Sequence, residues 1–218
     1  MRALIVALLC ASPVLADEGE LYLGGGAGLE GATLRHPAAL AGARRLLAPP
    51  NAALARVGVG ARYGLSNELH PGFGLELAMA GNVATPDVIL AGSHAQIVTG
   101  TYLEAAAPIG AGWRFDSGYD LSAVVGVDVA PHVALWMLSA ATAPPSSGDT
   151  KPPRALPIDV ADAVGLGVSL RVRAAVELRL FEALALPLTP YLGVTWDGAP
   201  SWRMGMAVQP ELITALWP

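Results

Sequence analysis

The stretch VGLGVSLRVRAAVELRLFE, running from Val164 to Glu182, alternates without a break. Val164, Leu166, Val168, Leu170, Val172, Ala174, Val176, Leu178 and Leu180 fall on one face. Gly165, Gly167, Ser169, Arg171, Arg173, Ala175, Glu177 and Arg179 fall on the other. That two-residue period is the signature of a β-strand. Wound as a helix, the same residues would scatter the arginines around the whole circumference, and the two glycines would weaken it. One face is wholly apolar, the other sets charge beside glycine, and the run is longer than soluble strands usually are.

The whole chain shares this apolar surplus. Of its 218 residues 53% are hydrophobic and only 14% charged, with a mean hydropathy of +0.48, where a globular domain carries about 25% charged residues. The length suits a single all-β domain. Met1 to Ala16 has a basic start at Arg2, an apolar run from Ala3 to Leu9 and small residues before a cut after Ala16. It reads as a secretory signal, leaving residues 17–218 as the folded domain. Leu9 precedes Cys10 where a lipoprotein signal wants a small residue, and removal of the signal leaves no cysteine for a disulfide or a metal. The formal net charge of −5 becomes more negative once Arg2 is lost, which argues against a nucleic-acid partner. Past the signal, no apolar stretch approaches the ~20 residues of a membrane helix, so a membrane-spanning chain of this sequence has to be a closed barrel.

The alternation recurs over Glu20–Leu34, Ala53–Leu69, Phe73–Asn82, His94–Gly110, Tyr119–Ser139, Leu184–Asp197 and Trp202–Ile213. With the opening stretch this makes eight strands, an even number that leaves no edge. His70-Pro71-Gly72 reads as a tight turn, Trp113–Gly118 as a polar-aromatic turn, and Pro131 as a bulge. Pro187, Pro190 and Pro210 predict that the last hairpin is frayed or begins near Tyr191, with a partly open seam as the competing expectation. Long and short connections alternate, apart from the short last one, as in membrane barrels with long outer loops and short periplasmic turns.

The contents of the polar face indicate orientation. It is rich in glycine and alanine with isolated charges, and Lys151 is the only lysine. A solvent-facing surface would carry more lysine, whereas small residues between charges suit the narrow inside of an eight-stranded barrel. Arg56, Arg62, Arg171, Arg173, Arg179 and Arg203 should then share an interior with Glu30, Glu76, Glu104, Asp120, Asp128, Glu177 and Glu211. Single buried charges cost several kcal/mol, so a cross-strand salt-bridge network is predicted. Phe73, Trp113, Phe115, Tyr119 and Trp217 form one aromatic band, and Trp136, Trp196 and Trp202 the other.

The signal, the eight alternating strands, the alternating loop lengths and a last strand ending near Trp217 resemble small outer-membrane β-barrels of the OmpA-transmembrane and OmpW type. The fold class expected is therefore an eight-stranded antiparallel up-and-down transmembrane β-barrel in the outer membrane of a Gram-negative bacterium. The expected role is structural, or that of a narrow porin-like conduit with a largely filled lumen. Partners would be the lipid bilayer, lipopolysaccharide and the outer-membrane assembly machinery, and the chain would be monomeric.

No GxSxG, HExxH or phosphate-cradling motif is present. Gly24-Gly25-Gly26-Ala27-Gly28 lies inside an alternating strand, where inward glycines make room for neighbours. His36, His70, His94 and His132 are dispersed, and Ser122 and Ser169 have no histidine at a spacing that implies contact. No catalytic residue, cofactor or metal site is therefore expected. Arg35, Arg44 and Arg45 read as solvated loop charge. The alternatives are an outer-membrane lipid-modifying enzyme and a soluble lipocalin-like ligand-binding barrel.

Overall fold

The computed structural model describes residues 19–34, 51–64, 69–84, 88–90, 94–116, 120–142, 163–181, 183–197 and 200–215. The signal segment and the arginines at 35, 44 and 45 lie outside them. Eight strands succeed one another: β1 (Glu20–Thr33), β2 (Asn51–Gly64), β3 (Leu69–Ala84), β4 (His94–Ala106 continued by Ile109–Asp116), β5 (Leu121–Thr142), β6 (Ala163–Leu180), β7 (Leu184–Trp196) and β8 (Pro200–Val208 continued by Glu211–Ala215). A short ribbon, Val88–Leu90, pairs with the first residues of β4. Each strand pairs antiparallel with the next. β8 returns to β1 through Ala27↔Val208 and Gly24↔Glu211, so the sheet closes into an eight-stranded up-and-down barrel. The segments 34–50, 85–93, 143–162 and 197–199 join strands at one end, and 65–68, 117–120 and 181–183 at the other.

Several sequence expectations need correction. His70-Pro71-Gly72 is not a turn but part of β3, with His70↔Gly112 and Gly72↔Arg62 as ladder pairs. The β2 ladder begins at Gly72, so Pro71 breaks no bond to β2. Trp113 to Asp116 continue β4, paired with β5 from Trp113↔Val125 to Asp116↔Ser122. Nor does Pro131 make a bulge: Ala106↔His132 and Ile109↔Val129 share one register, and the β6 side runs on through Pro131↔Val168. The gap in β4 at Ala107–Pro108 stands opposite Pro131, where two prolines lack N–H donors; the Ala107 N–H still reaches the Pro131 carbonyl at 2.9 Å. The register shift lies elsewhere, in β3 between Ala80 and Val83.

The closing hairpin is neither frayed nor open. β7 begins at Leu184, and Pro187 and Pro190 sit in the ladders opposite Glu177 and Met206. At Gln209–Pro210 both flanking registers carry on, bridged by the Gly25 N–H to the Pro210 carbonyl and the Gln209 N–H to the Pro187 carbonyl, each at 3.3 Å. A proline removes one donor, but the paired strands on both sides fix where the chain goes next.

The interior is packed at both ends. Leu34, Leu54, Val83, Tyr102 and Trp136 form an apolar plug at the long-loop end, and Tyr22, Ala185 and Ile213 a smaller one at the short-turn end. Trp136 was expected in an interfacial band; its even position on β5 turns it inward, edge-on to Tyr102 with centroids 5.0 Å apart. Phe181, just past β6, has a φ of 63°, a left-handed conformation that costs an ordinary L-residue roughly 1–2 kcal/mol.

Candidate functional site

Strand parity sorts the side chains. Val59, Leu170 and Leu178 point outward and are 62%, 41% and 41% exposed, while Arg62 and Arg171 point inward and are 7% and 4% exposed. The same division holds around the ring: Leu29, Leu75, Ile109, Val127, Leu166 and Met204 are exposed, and Glu30, Glu104, Glu177 and Arg203 are buried. A wall greasy on the outside and charged on the inside cannot be a water-soluble barrel, because an apolar belt of this extent needs lipid against it. This chain is a membrane-spanning β-barrel.

The charges of the barrel lie in two layers. In the layer nearer the long loops, Arg56 on β2 reaches Glu30 on β1 at 2.8 Å, Glu76 on β3 at 2.6 Å and Glu104 on β4 at 3.3 Å. Arg203 on β8 meets Glu30 at 3.1 Å and Glu104 at 2.7 Å, and Arg171 on β6 takes the same Glu76 oxygen as Arg56, also at 2.6 Å. The hydroxyls of Tyr102 and Tyr191 donate to Glu104 at 2.5 Å and to Glu30 at 2.6 Å. Three guanidinium groups and three carboxylates thus neutralise one another. Each carboxylate has more than one partner, as charges in a low-dielectric interior require.

In the layer nearer the short turns, Arg62 on β2 donates from Nε and Nη2 to one oxygen of Glu211, at 2.8 and 2.5 Å, and from Nη2 to Glu177. Arg114 on β4 donates to the Tyr22 hydroxyl at 2.7 Å and to Asp116 at 2.8 Å, and stands 3.8 Å from Glu177. Arg179 pairs with Glu20 at 2.6 Å, and the Tyr22 hydroxyl donates to Glu20. The Arg62 guanidinium lies over the Tyr22 ring, 4.0 Å from its centroid, and His70 packs tilted against that ring at 5.4 Å.

Between the layers, Arg173 pairs with Asp128 at 3.0 Å beside a cavity of about 140 Å³. Glycine makes the room: a Cβ on Gly26 would lie 2.2 Å from the Val208 carbonyl oxygen, and one on Gly110 would lie 2.1 Å from Asp128 Oδ1.

Of the residues expected in the lumen, Glu30, Arg56, Arg62, Glu76, Glu104, Asp128, Arg171, Arg173, Glu177, Arg179, Arg203 and Glu211 meet partners there. Asp120 does not. It is exposed at the short-turn rim, in the bend ahead of β5 where alternation has not begun, and its backbone carbonyl accepts the Arg179 N–H at 2.7 Å. Sequence reasoning misses Arg114, because Trp113–Gly118 carries the local marks of a turn; extended from Gly110 and Gly112, the same parity turns Arg114 inward. It also misses the three lumen tyrosines as carboxylate partners.

His132 is buried on the lumen side of β5 with Nδ1 3.4 Å from the Ala130 carbonyl, and Ser169 shares a 2.7 Å hydrogen bond with Thr195. Among the described residues no group of His, Cys, Asp and Glu is arranged to hold a metal ion.

No protein-family model matches the chain, and neither does any curated protein sequence. Similar solved structures include neisserial surface protein A (11% identity over 88% of this chain and 96% of that one, TM-score 0.48). The attachment invasion locus protein Ail of Yersinia pestis is another (12%, 91% and 100%, TM-score 0.47), as is the outer membrane protein OprG of Pseudomonas aeruginosa (9%, 90% and 95%, TM-score 0.36). These are small outer-membrane β-barrel proteins.

Proposed function

We propose that this protein is a structural barrel of the bacterial outer membrane whose lumen is shut. The observation that carries the reading is a pair of bridges between opposite walls. Arg203 to Glu104 joins β8 to β4, and Arg62 to Glu177 joins β2 to β6; each pair of strands is four places apart in the ring of eight, and the two axes are a quarter turn from each other. Crossed bars of that kind, with an apolar plug beyond each, leave no straight path for an ion. The chain reaches its membrane through removal of the signal at Met1–Ala16 and insertion by the outer-membrane assembly machinery. It sits there as a monomer against phospholipid and lipopolysaccharide and carries out no catalytic step.

A narrow porin-like conduit is the second reading, favoured by the cavity of about 140 Å³ between the two layers, large enough for several water molecules. Planar-bilayer recording of the refolded protein tests both. A silent membrane is expected of the shut barrel. Steady unitary channels from the wild-type protein would overturn that reading and leave the conduit.

A further inference from the structure

Arg171 and Arg173 stand two residues apart on the lumen face of β6, and both line the chamber of about 140 Å³ between the charged layers. Arg171 is 4% exposed, yet only its Nη1 is engaged, by Glu76 at 2.6 Å; Nε and Nη2 have no hydrogen-bond partner. Arg173 uses Nε on Asp128, and among the described residues neither of its terminal nitrogens is bonded. A guanidinium carries five donors, and a buried donor left unmade is costly.

The acids of the lining are already held, Glu76 by Arg56 and Arg171, Asp128 by Arg173, and Glu177 and Glu211 by Arg62. Opposite the two arginines, on β2, the lining is Gly58 and Gly60, which have no side chain to reach across. Gln209 of β8 adds a neutral amide, its Nε2 3.4 Å from where a Cβ on Gly60 would stand. Two neighbouring guanidinium groups with free N–H repel a cation, and an apolar group satisfies none of their donors. What suits them is an acceptor with negative charge. Size narrows the choice, because a cavity of roughly 150 Å³ accepts a molecule no larger than benzene. A halide, formate or acetate fits within that limit and gluconate does not.

We infer that the chamber binds one small monovalent anion, a halide or a short carboxylate, between Arg171 and Arg173. The anion enters as the barrel closes and bridges the two guanidinium groups, offsetting their mutual repulsion. The site itself stands on the inward placement of the arginines; the trapping of the anion rests on the shut lumen proposed above.

The test is urea unfolding of the full-length mature protein in phosphatidylcholine vesicles, at constant ionic strength with chloride exchanged for gluconate. An anion bound by the barrel and not by the unfolded chain multiplies the folding equilibrium constant by up to about ten for each tenfold rise in chloride. That rise is expected in the wild type. It is lost in Arg173→Met combined with Asp128→Asn, which removes the free donors without stranding a carboxylate. A wild-type folding constant indifferent to chloride overturns the site, whether or not the variant folds, and assigns the chamber to water. An equal chloride response in wild type and variant overturns it too, as a general effect of the salt. Refolding in radiolabelled chloride followed by desalting separates the site from the trapping. About one label retained per barrel supports both, whereas a chloride response that the variant loses, without retained label, supports the site and overturns the shut lumen.

Discussion

Arg62 and Glu177 are joined across the full width of the lumen, from β2 to β6, and the same Arg62 nitrogen also holds Glu211 of β8 at 2.5 Å. One guanidinium thus ties three strands that are not neighbours. Replacing Arg62 by alanine leaves two buried carboxylates facing each other, and removal of one partner of a buried pair costs about 3–5 kcal/mol. The midpoint of urea unfolding in vesicles is expected to fall accordingly. Arg62→Met combined with Glu177→Gln and Glu211→Gln should lose much less, because no unpaired charge remains. A triple variant as unstable as the single one would refute this account of the layer.

The second bar is open to a thermodynamic cycle. Arg203 and Glu104 are 2.7 Å apart and both are buried, so Arg203→Met and Glu104→Gln are expected to be non-additive, with a coupling of about 0.5–3 kcal/mol. Arg203 also meets Glu30 and Glu104 also meets Arg56, so the cycle should be repeated in a Glu30→Gln background, where the coupling persists. Additive unfolding energies in both backgrounds would mean that the bar contributes nothing.

Glycine positions separate room from mere permissiveness. Gly26→Ala places a methyl 2.2 Å from a backbone carbonyl that the β1–β8 seam holds in place, whereas the nearest atom to a methyl on Gly31 is 3.8 Å away. Overpacking costs about 1–3 kcal/mol, and a free surface position stays within about 0.5 kcal/mol of wild type. Refolding yield and the unfolding midpoint should both drop for Gly26→Ala and stay put for Gly31→Ala.

The lipid-facing wall predicts a depth dependence that a soluble barrel would lack. Val127→Arg, midway along the spanning part of β5, is expected to cost about 2–4 kcal/mol in vesicles, and Leu121→Arg, at the short-turn rim, about 0–1 kcal/mol. Equal penalties at the two positions would count against a bilayer around this wall.

Most of this architecture is legible in the period of two, which places a residue inside or outside wherever the strand extends. It let Arg171, Arg173 and Glu177 be assigned to one interior from a single stretch. What it cannot supply is where a strand stops when turn-forming residues occur within it. His70-Pro71-Gly72 carries every local mark of a turn, yet pairing with β2 and β4 holds it extended, a tertiary effect that no short window contains. The same limit hid Arg114, whose segment carries aspartate and aromatic residues that read as a turn. Which arginine meets which acid was also beyond the sequence, since partners such as Arg62 and Glu211 come together only once the ring has closed and brought β2 and β8 to a common interior.

That closure has a consequence for biogenesis. Gly24 finds its partner in Glu211, near the far end of the chain, so until β8 is in place both β1 and β8 present unpaired rims able to recruit a strand from another molecule. Pro210, lacking a donor, makes β8 a poor template for such recruitment over its final residues, and the ladder around it forms fully only when β1 and β7 flank it together. The residue that interrupts the finished ladder also withholds one donor from a stray strand while the wall is incomplete.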